Sequence, residues 1–86
     1  MTGLTSQPHN LTPRAQKDLD ALPVHERDRV ARKLFALQNG LTGDIKHLRQ
    51  TFPDYRLRVG DYRALFAIET TALVVYRVRH RREAYR

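Results

Sequence analysis

Residues 55–66 read YRLRVGDYRALF. Tyr55, Leu57 and Val59 alternate with Arg56 and Arg58, and an alternating run resumes at Tyr62 after Gly60-Asp61. A period of two is the signature of β-strands. Gly60-Asp61 fits a two-residue type II′ turn, which wants glycine first. Such a turn fixes the register: Val59 faces Tyr62, Arg58 faces Arg63 and Arg56 faces Leu65. A slip of one residue would exchange the two faces of the hairpin. In this register one face carries Leu57, Val59, Tyr62, Ala64, Phe66 and Ile68. The other carries Arg56, Arg58 and Arg63 with Leu65, Ala67 and Glu69. Like charges directly opposite each other destabilise a sheet. A face that gathers three arginines therefore points to an anionic ligand.

A third strand runs from Leu73 to Arg79, and its register is decided by the turn before it. A two-residue turn at Thr70-Thr71 would direct Arg77 and Arg79 into the core, where unpaired charge is expensive. A three-residue turn, Thr70 to Ala72, instead buries Val74, Tyr76 and Val78. It sends Arg77, Arg79 and Arg81 to join the other arginines, and this is the expected arrangement.

The N-terminal half has a helical period. Thr12 before Pro13 supplies a hydroxyl cap and a proline at the first helical position. Ala15, Leu19 and Leu22 follow at helical spacing, and Pro23 stops the segment. A second helix is predicted from about Val24 to Gln38, with Val30, Leu34, Leu37 and Leu41 on its buried stripe. Asn39-Gly40 ends it. Residues 40–54 form a connector in which Ile45 and Leu48 anchor a short strand or turn. Residues 1–10 are polar and contain Pro8, which predicts weak order or a poor first strand. The expectation is a single α+β domain over residues 1–86. An N-terminal helical hairpin packs on one face of a small antiparallel β-sheet, and arginines line the other face.

Sixteen Lys and Arg against nine Asp and Glu give a formal charge of +7. Residues 1–43 hold six basic and four acidic residues, while residues 44–86 hold ten and five. From residue 54 onward every basic residue is Arg, whose planar donor fork suits phosphate. This pattern favours nucleic acid over a solvated basic face or a patch that meets an acidic protein. Cysteine is absent, which removes disulfides and thiolate metal sites. No cofactor is expected. The histidines at 9, 25, 47 and 80 are too scattered for a local metal motif. The start lacks a basic segment followed by an apolar run, and no stretch approaches the roughly 18 apolar residues that span a bilayer. A soluble cytoplasmic protein, without a membrane partner, is expected.

Four segments, LTPRAQKDLDALP, GDIKHLR, YRLRVGDYRALFAIE and VYRVRHRREAYR, occur in this order and spacing. Together, over about residues 11–86, they resemble the RelE/ParE toxin superfamily, nearest its RelE-type branch. The resemblance implies a RelE-like fold and a toxin of a type II toxin–antitoxin pair. RelE-type members enter the ribosomal A site and cleave mRNA there, and an antitoxin wraps the toxin. The implied partners are a cognate antitoxin, the ribosome and mRNA, and a toxin–antitoxin heterotetramer is one implied assembly. The basic pair on the strand before the hairpin falls on Arg56 and Arg58. The arginine after the turn falls on Arg63, and the C-terminal arginine and tyrosine fall on Arg81 and Tyr85. These five are the catalytic candidates. Arg77, Arg79, Arg82 and Lys46 are candidate RNA contacts, and Arg79 is also an alternative to Arg81.

In such cleavage the RNA 2′-OH attacks its own neighbouring phosphate, so charge develops on phosphoryl oxygens while one proton leaves and another arrives. Guanidinium groups suit the charge, but arginine does not give up its proton. The most active relatives carry lysines where this chain has Arg56 and Arg58. Tyr85 is the first candidate base, with His80 and Glu83 behind it. His80 is expected to face away from the arginine surface. Asp18, Asp20, Asp54 and Asp61 read as surface or turn residues. Two other functions share the scaffold: a non-cleaving ParE-type poison of DNA gyrase, and an inactive homologue that only binds nucleic acid or antitoxin.

Overall fold

The computed structural model describes residues 10–37, 40–41, 43–70 and 72–84. Thr12 starts the first helix, α1 (Pro13–Asp20): its hydroxyl accepts from the Ala15 N–H at 3.1 Å, and Pro13 occupies the first turn. The same threonine docks the helix, because its N–H donates to the Val75 carbonyl and its hydroxyl to the Tyr76 carbonyl. Pro23 breaks the chain, and α2 (Val24–Ala36) follows. Ala15 and Leu19 of α1 and Val30, Leu34 and Leu37 on and after α2 face inward, as their spacing predicts. Leu41, expected on this stripe, is exposed.

The strands are β1 (Asn10–Leu11), β2 (Asp44–His47), β3 (Tyr55–Val59), β4 (Tyr62–Glu69) and β5 (Ala72–His80), and a single-turn helix, α3 (Arg81–Ala84), ends the described chain. They form one sheet in the order β1-β5-β4-β3-β2. Only the two-residue β1 is parallel to its neighbour; the other four strands are antiparallel. Of the poor first strand expected over residues 1–10, residues 1–9 lie outside the described residues. The helices cover one face of the sheet, where Leu57, Val59, Ala64, Phe66, Val75 and Val78 join them in the core. Phe66 is fully buried and central, and truncating such a ring to alanine costs about 3–5 kcal/mol.

The β3–β4 hairpin has the expected register, from Val59 opposite Tyr62 to Tyr55 opposite Phe66. Gly60 has φ +59 and Asp61 does not take a positive φ, as a type II′ turn requires. The β4–β5 hairpin corrects the sequence reading. Glu69 faces Ala72, so the connection is the two residues Thr70 and Thr71 and not the three from Thr70 to Ala72. Thr70 takes φ +60, and Thr71 lies outside the described residues. A β-bulge then changes the phase of β5: Phe66 faces Val75 but Leu65 faces Arg77, which leaves Tyr76 as the extra residue. Val75 therefore enters the core, where Val74 and Tyr76 were expected, and Val78 is buried as predicted. Arg77 and Arg79 still fall on the face away from the helices, because the bulge performs the inversion assigned to a longer turn. Ile68, expected in the core, is 44% exposed near the end of β4.

Asp18 of α1 closes the outer edge of β5 beyond its short pairing with β1. One carboxylate oxygen accepts from the Val78 N–H at 3.0 Å and from Arg77 Nε at 2.8 Å. The sequence marks Asp18 as a surface residue. The fold gives it three donors, because α1 packs against β5 some sixty positions along the chain.

Candidate nucleic-acid interface

The registers of three strand pairs align side chains in rows across the outer face. Asp44, Arg58, Arg63 and Arg79 make one row over β2, β3, β4 and β5. Lys46, Arg56, Leu65 and Arg77 make the next. Neighbouring strands lie about 4.8 Å apart, so these cations repel one another unless an anion lies between or above them.

The arginines are held to different degrees. Arg63, at the centre, is only 7% exposed. Its guanidinium donates to the Gly60 and Tyr62 carbonyls, both at 3.0 Å, and so clamps the β3–β4 turn. Arg58 is exposed and reaches Asp44 at 3.4 Å, an ion pair that solvent weakens. Arg77 is drawn off the face to Asp18. Arg79 is half-buried, and its Nε lies out of contact with water without a hydrogen-bond partner among the described residues. A buried donor left in this way costs free energy. Lys46 is exposed and extends the second row beyond Arg56.

Arg81 begins α3, where its N–H donates to the Asp61 carbonyl at 2.7 Å. Its guanidinium lies 3.9 Å from the Asp61 carboxylate and is exposed. Arg63 and Arg81 thus meet around one turn, although 18 positions separate them. Arg82 is exposed on α3, and its N–H donates to His80 Nδ1. Tyr85 lies outside the described residues. His80 stacks edge-on against Tyr62 at 5.4 Å, away from the arginine rows as expected. A groove of about 390 Å³ lies beside the rows, lined by Arg29 and Lys33 of α2 with Asp44, Leu57, Arg58 and Gly60.

The outer face has a second end that the sequence did not disclose. The Tyr76 hydroxyl donates to the Glu69 carboxylate. That hydrogen bond, then desolvation, then the nearby negative charge hold the phenol above its ordinary pKa of 10.0. Phe52 meets the same ring edge-on at 5.1 Å. The signal for Phe52 was a large aromatic in a polar connector. Tyr76 had no local signal, because a bulge does not show in the alternation. Among the described residues no group of His, Cys, Asp and Glu could hold a metal ion, and no helix is long and apolar enough to cross a membrane.

The outer face can thus bind phosphate oxygens and stabilise charge on them, while none of its arginines can take a proton. A family model described as the ParE toxin of the type II toxin–antitoxin system, parDE, matches residues 10–85. The chain belongs to the ParE toxin family. This ParE-family toxin is 34% identical over 74 residues to Toxin RelE3 of Methanocaldococcus jannaschii, covering 80% of this chain and 84% of that protein. Its fold matches the toxin–antitoxin complex RelB-RelE from Methanococcus jannaschii with a TM-score of 0.75 and 30% identity, covering 88% of this chain and 94% of the other. The toxin–antitoxin complex RelBE2 from Mycobacterium tuberculosis matches with a TM-score of 0.70 and 30% identity, over 83% and 86% of the two chains. The archaeal RelE-RelB complex from Pyrococcus horikoshii matches with a TM-score of 0.69 and 21% identity, over 90% and 99% of the two chains, and shows the shared fold alone. These findings bear out the superfamily, the α+β architecture and the assignment as a toxin of the type II toxin–antitoxin kind.

Proposed function

We propose that this ParE-family toxin is a cytoplasmic, ribosome-dependent mRNA endonuclease. The observation that carries the reading is the row of Arg58, Arg63 and Arg79 on three adjacent strands. A phosphate over this row would relieve the repulsion within it. Arg56, Arg58, Arg63 and Arg81 would then stabilise charge on the phosphoryl oxygens as the 2′-oxygen bonds to phosphorus and the 5′-oxygen departs. The departing oxygen takes up a proton, and the 2′-OH gives one to a base. Tyr85 is assigned that role by its place in the family motif. Arg79, Arg82 and Lys46 hold neighbouring phosphates, and Arg77 does so when Asp18 releases it.

The partner that silences the toxin is an antitoxin, as in the RelB-RelE complexes to which it is similar. Carboxylates over Arg58 and the adjoining groove would exclude RNA by occupying the same cations. Controlled expression with primer extension on a chosen mRNA tests the enzymatic reading. Codon-phased cuts that accompany growth arrest and disappear in Arg79→Ala and Arg63→Ala are expected. Because Arg63 clamps a turn, a melting curve for each variant separates lost activity from lost fold. A gyrase poison is the second reading, favoured by the ParE family match. It predicts arrest with intact mRNA and an induced DNA-damage response.

A further inference from the structure

We infer that Phe52 and Tyr76 form a stacking platform for one nucleobase of the RNA strand whose phosphates lie on the arginine rows. The inference rests on the RNA-binding part of the proposed function and deepens it.

Phe52 is 66% exposed, a large apolar surface to leave in water. It is nonetheless positioned. The connector that carries it is pinned by the Leu48 N–H donating to the Asp54 carbonyl at 2.7 Å and by His47 against the Asp54 carboxylate. Thr51 bonds the Pro53 carbonyl within the same turn. The ring rests edge-on against Tyr76, whose own hydroxyl is held by Glu69. Two rings are thus fixed relative to the sheet.

Their place relative to the charge defines the ligand. Tyr76 is the bulged residue beside Arg77, and the two share the position opposite Leu65. Arg56 faces Leu65 from the other side. The platform therefore adjoins the second cationic row, about two strand spacings or ~10 Å from Arg56 along the sheet. An exposed aromatic surface beside a phosphate-binding row matches what a single RNA strand presents: a charged backbone and a flat apolar base. Glu69 sets the polarity. A carboxylate at the far edge of the platform repels phosphate, so the backbone lies toward the arginines and the base toward the rings. Stacking needs no particular base, so the platform adds affinity and placement without reading sequence.

The test is anisotropy of a short fluorescent single-stranded RNA against the purified full chain at low salt. Wild type, Phe52→Ala, Phe52→Trp and Arg79→Ala are compared, with oligonucleotides carrying one abasic site at each successive position. Phe52→Ala is expected to weaken binding by roughly 5- to 150-fold, the range for loss of one stacked base. Phe52→Trp retains the affinity. Wild type loses a similar factor at one abasic position, and there Phe52→Ala loses nothing further. The dependence of affinity on salt is unchanged in Phe52→Ala, because no phosphate contact is removed, and flatter in Arg79→Ala. Affinity within twofold of wild type in Phe52→Ala, while Arg79→Ala binds weakly, would overturn the platform and leave the phosphate row standing. Normal RNA binding by a Phe52→Ala variant that escapes an antitoxin would overturn it too, and would make the aromatic pair a protein contact. Absence of measurable binding by wild type both to the free RNA and to the same RNA positioned on purified ribosomes would overturn both readings together.

Discussion

Asp18 offers the sharpest test of how the fold holds its outer face in place. Its carboxylate is 16% exposed and its partner Arg77 is 27% exposed, so solvent screens the pair only in part. The oxygen at 2.8 Å from Arg77 Nε also takes the Val78 N–H, and a second contact to the guanidinium lies at 3.5 Å. Hydrogen bonds to charged groups contribute about 1.5–3 kcal/mol, and breaking a buried pair costs about 3–5 kcal/mol. The exposed quarter of Arg77 can recover some hydration, which places Asp18→Ala at about 2–3 kcal/mol. For a domain of this size that lowers Tm by about 10–20 °C. Asp18→Asn keeps an acceptor for the Val78 N–H and loses the charge, so roughly half of the loss is expected. Thermal melts by circular dichroism, in low salt and in about 0.5 M salt, measure both. The difference between wild type and Asp18→Ala should survive the added salt, since a half-buried pair is screened less than a surface one. A loss under about 0.5 kcal/mol in Asp18→Ala, or equal losses in the Asn and Ala variants, would refute the idea that this carboxylate anchors α1 to β5 through its charge.

Gly60→Ala should destabilise by about 1–3 kcal/mol, because φ +59 is unfavourable for a residue with a Cβ. The added carbon would also lie 2.9 Å from an Arg29 guanidinium nitrogen, which as the end of a flexible side chain can move away. Denaturant midpoints check this, and an unchanged midpoint would contradict the II′ assignment. Glu69→Gln should lower the ionisation midpoint of Tyr76, read by ultraviolet absorbance, because the carboxylate's hydrogen bond and charge hold it above 10.0. The raised folded pKa stabilises the protein below the ordinary phenol range, and that contribution is lost as pH rises through the folded midpoint.

The hairpin at the centre of the candidate site was legible because two strong local signals agree there. The alternation names the faces, and Gly60-Asp61 names the turn. The helices were legible for a similar reason: Thr12-Pro13 and Pro23 punctuate segments whose apolar residues keep one period. β5 was legible only in its result. Arg79 reaches the expected face, and Arg77 starts from it before its guanidinium turns to Asp18, but through a bulge at Tyr76 and not a longer turn. An insertion that changes phase inside a strand leaves Val74, Val75 and Tyr76 equally plausible as core residues. What remained hidden depends on contacts between distant parts of the chain. Asp18 bonds a guanidinium 59 positions away. Arg63 reads as one of three equal surface arginines until the turn beneath it supplies two carbonyls and buries it. Phe52 acquires meaning only beside Tyr76. In each case the residue type was visible and its partner was not.

The central claim is that aligned arginines on a RelE-like sheet serve RNA cleavage. Primer extension on one mRNA during controlled expression, with wild type beside Arg79→Ala, tests it most directly. Cuts in phase with codons that appear with growth arrest in wild type, and vanish in a folded Arg79→Ala, are the predicted result. Growth arrest with intact message would contradict the claim and move the target to DNA gyrase.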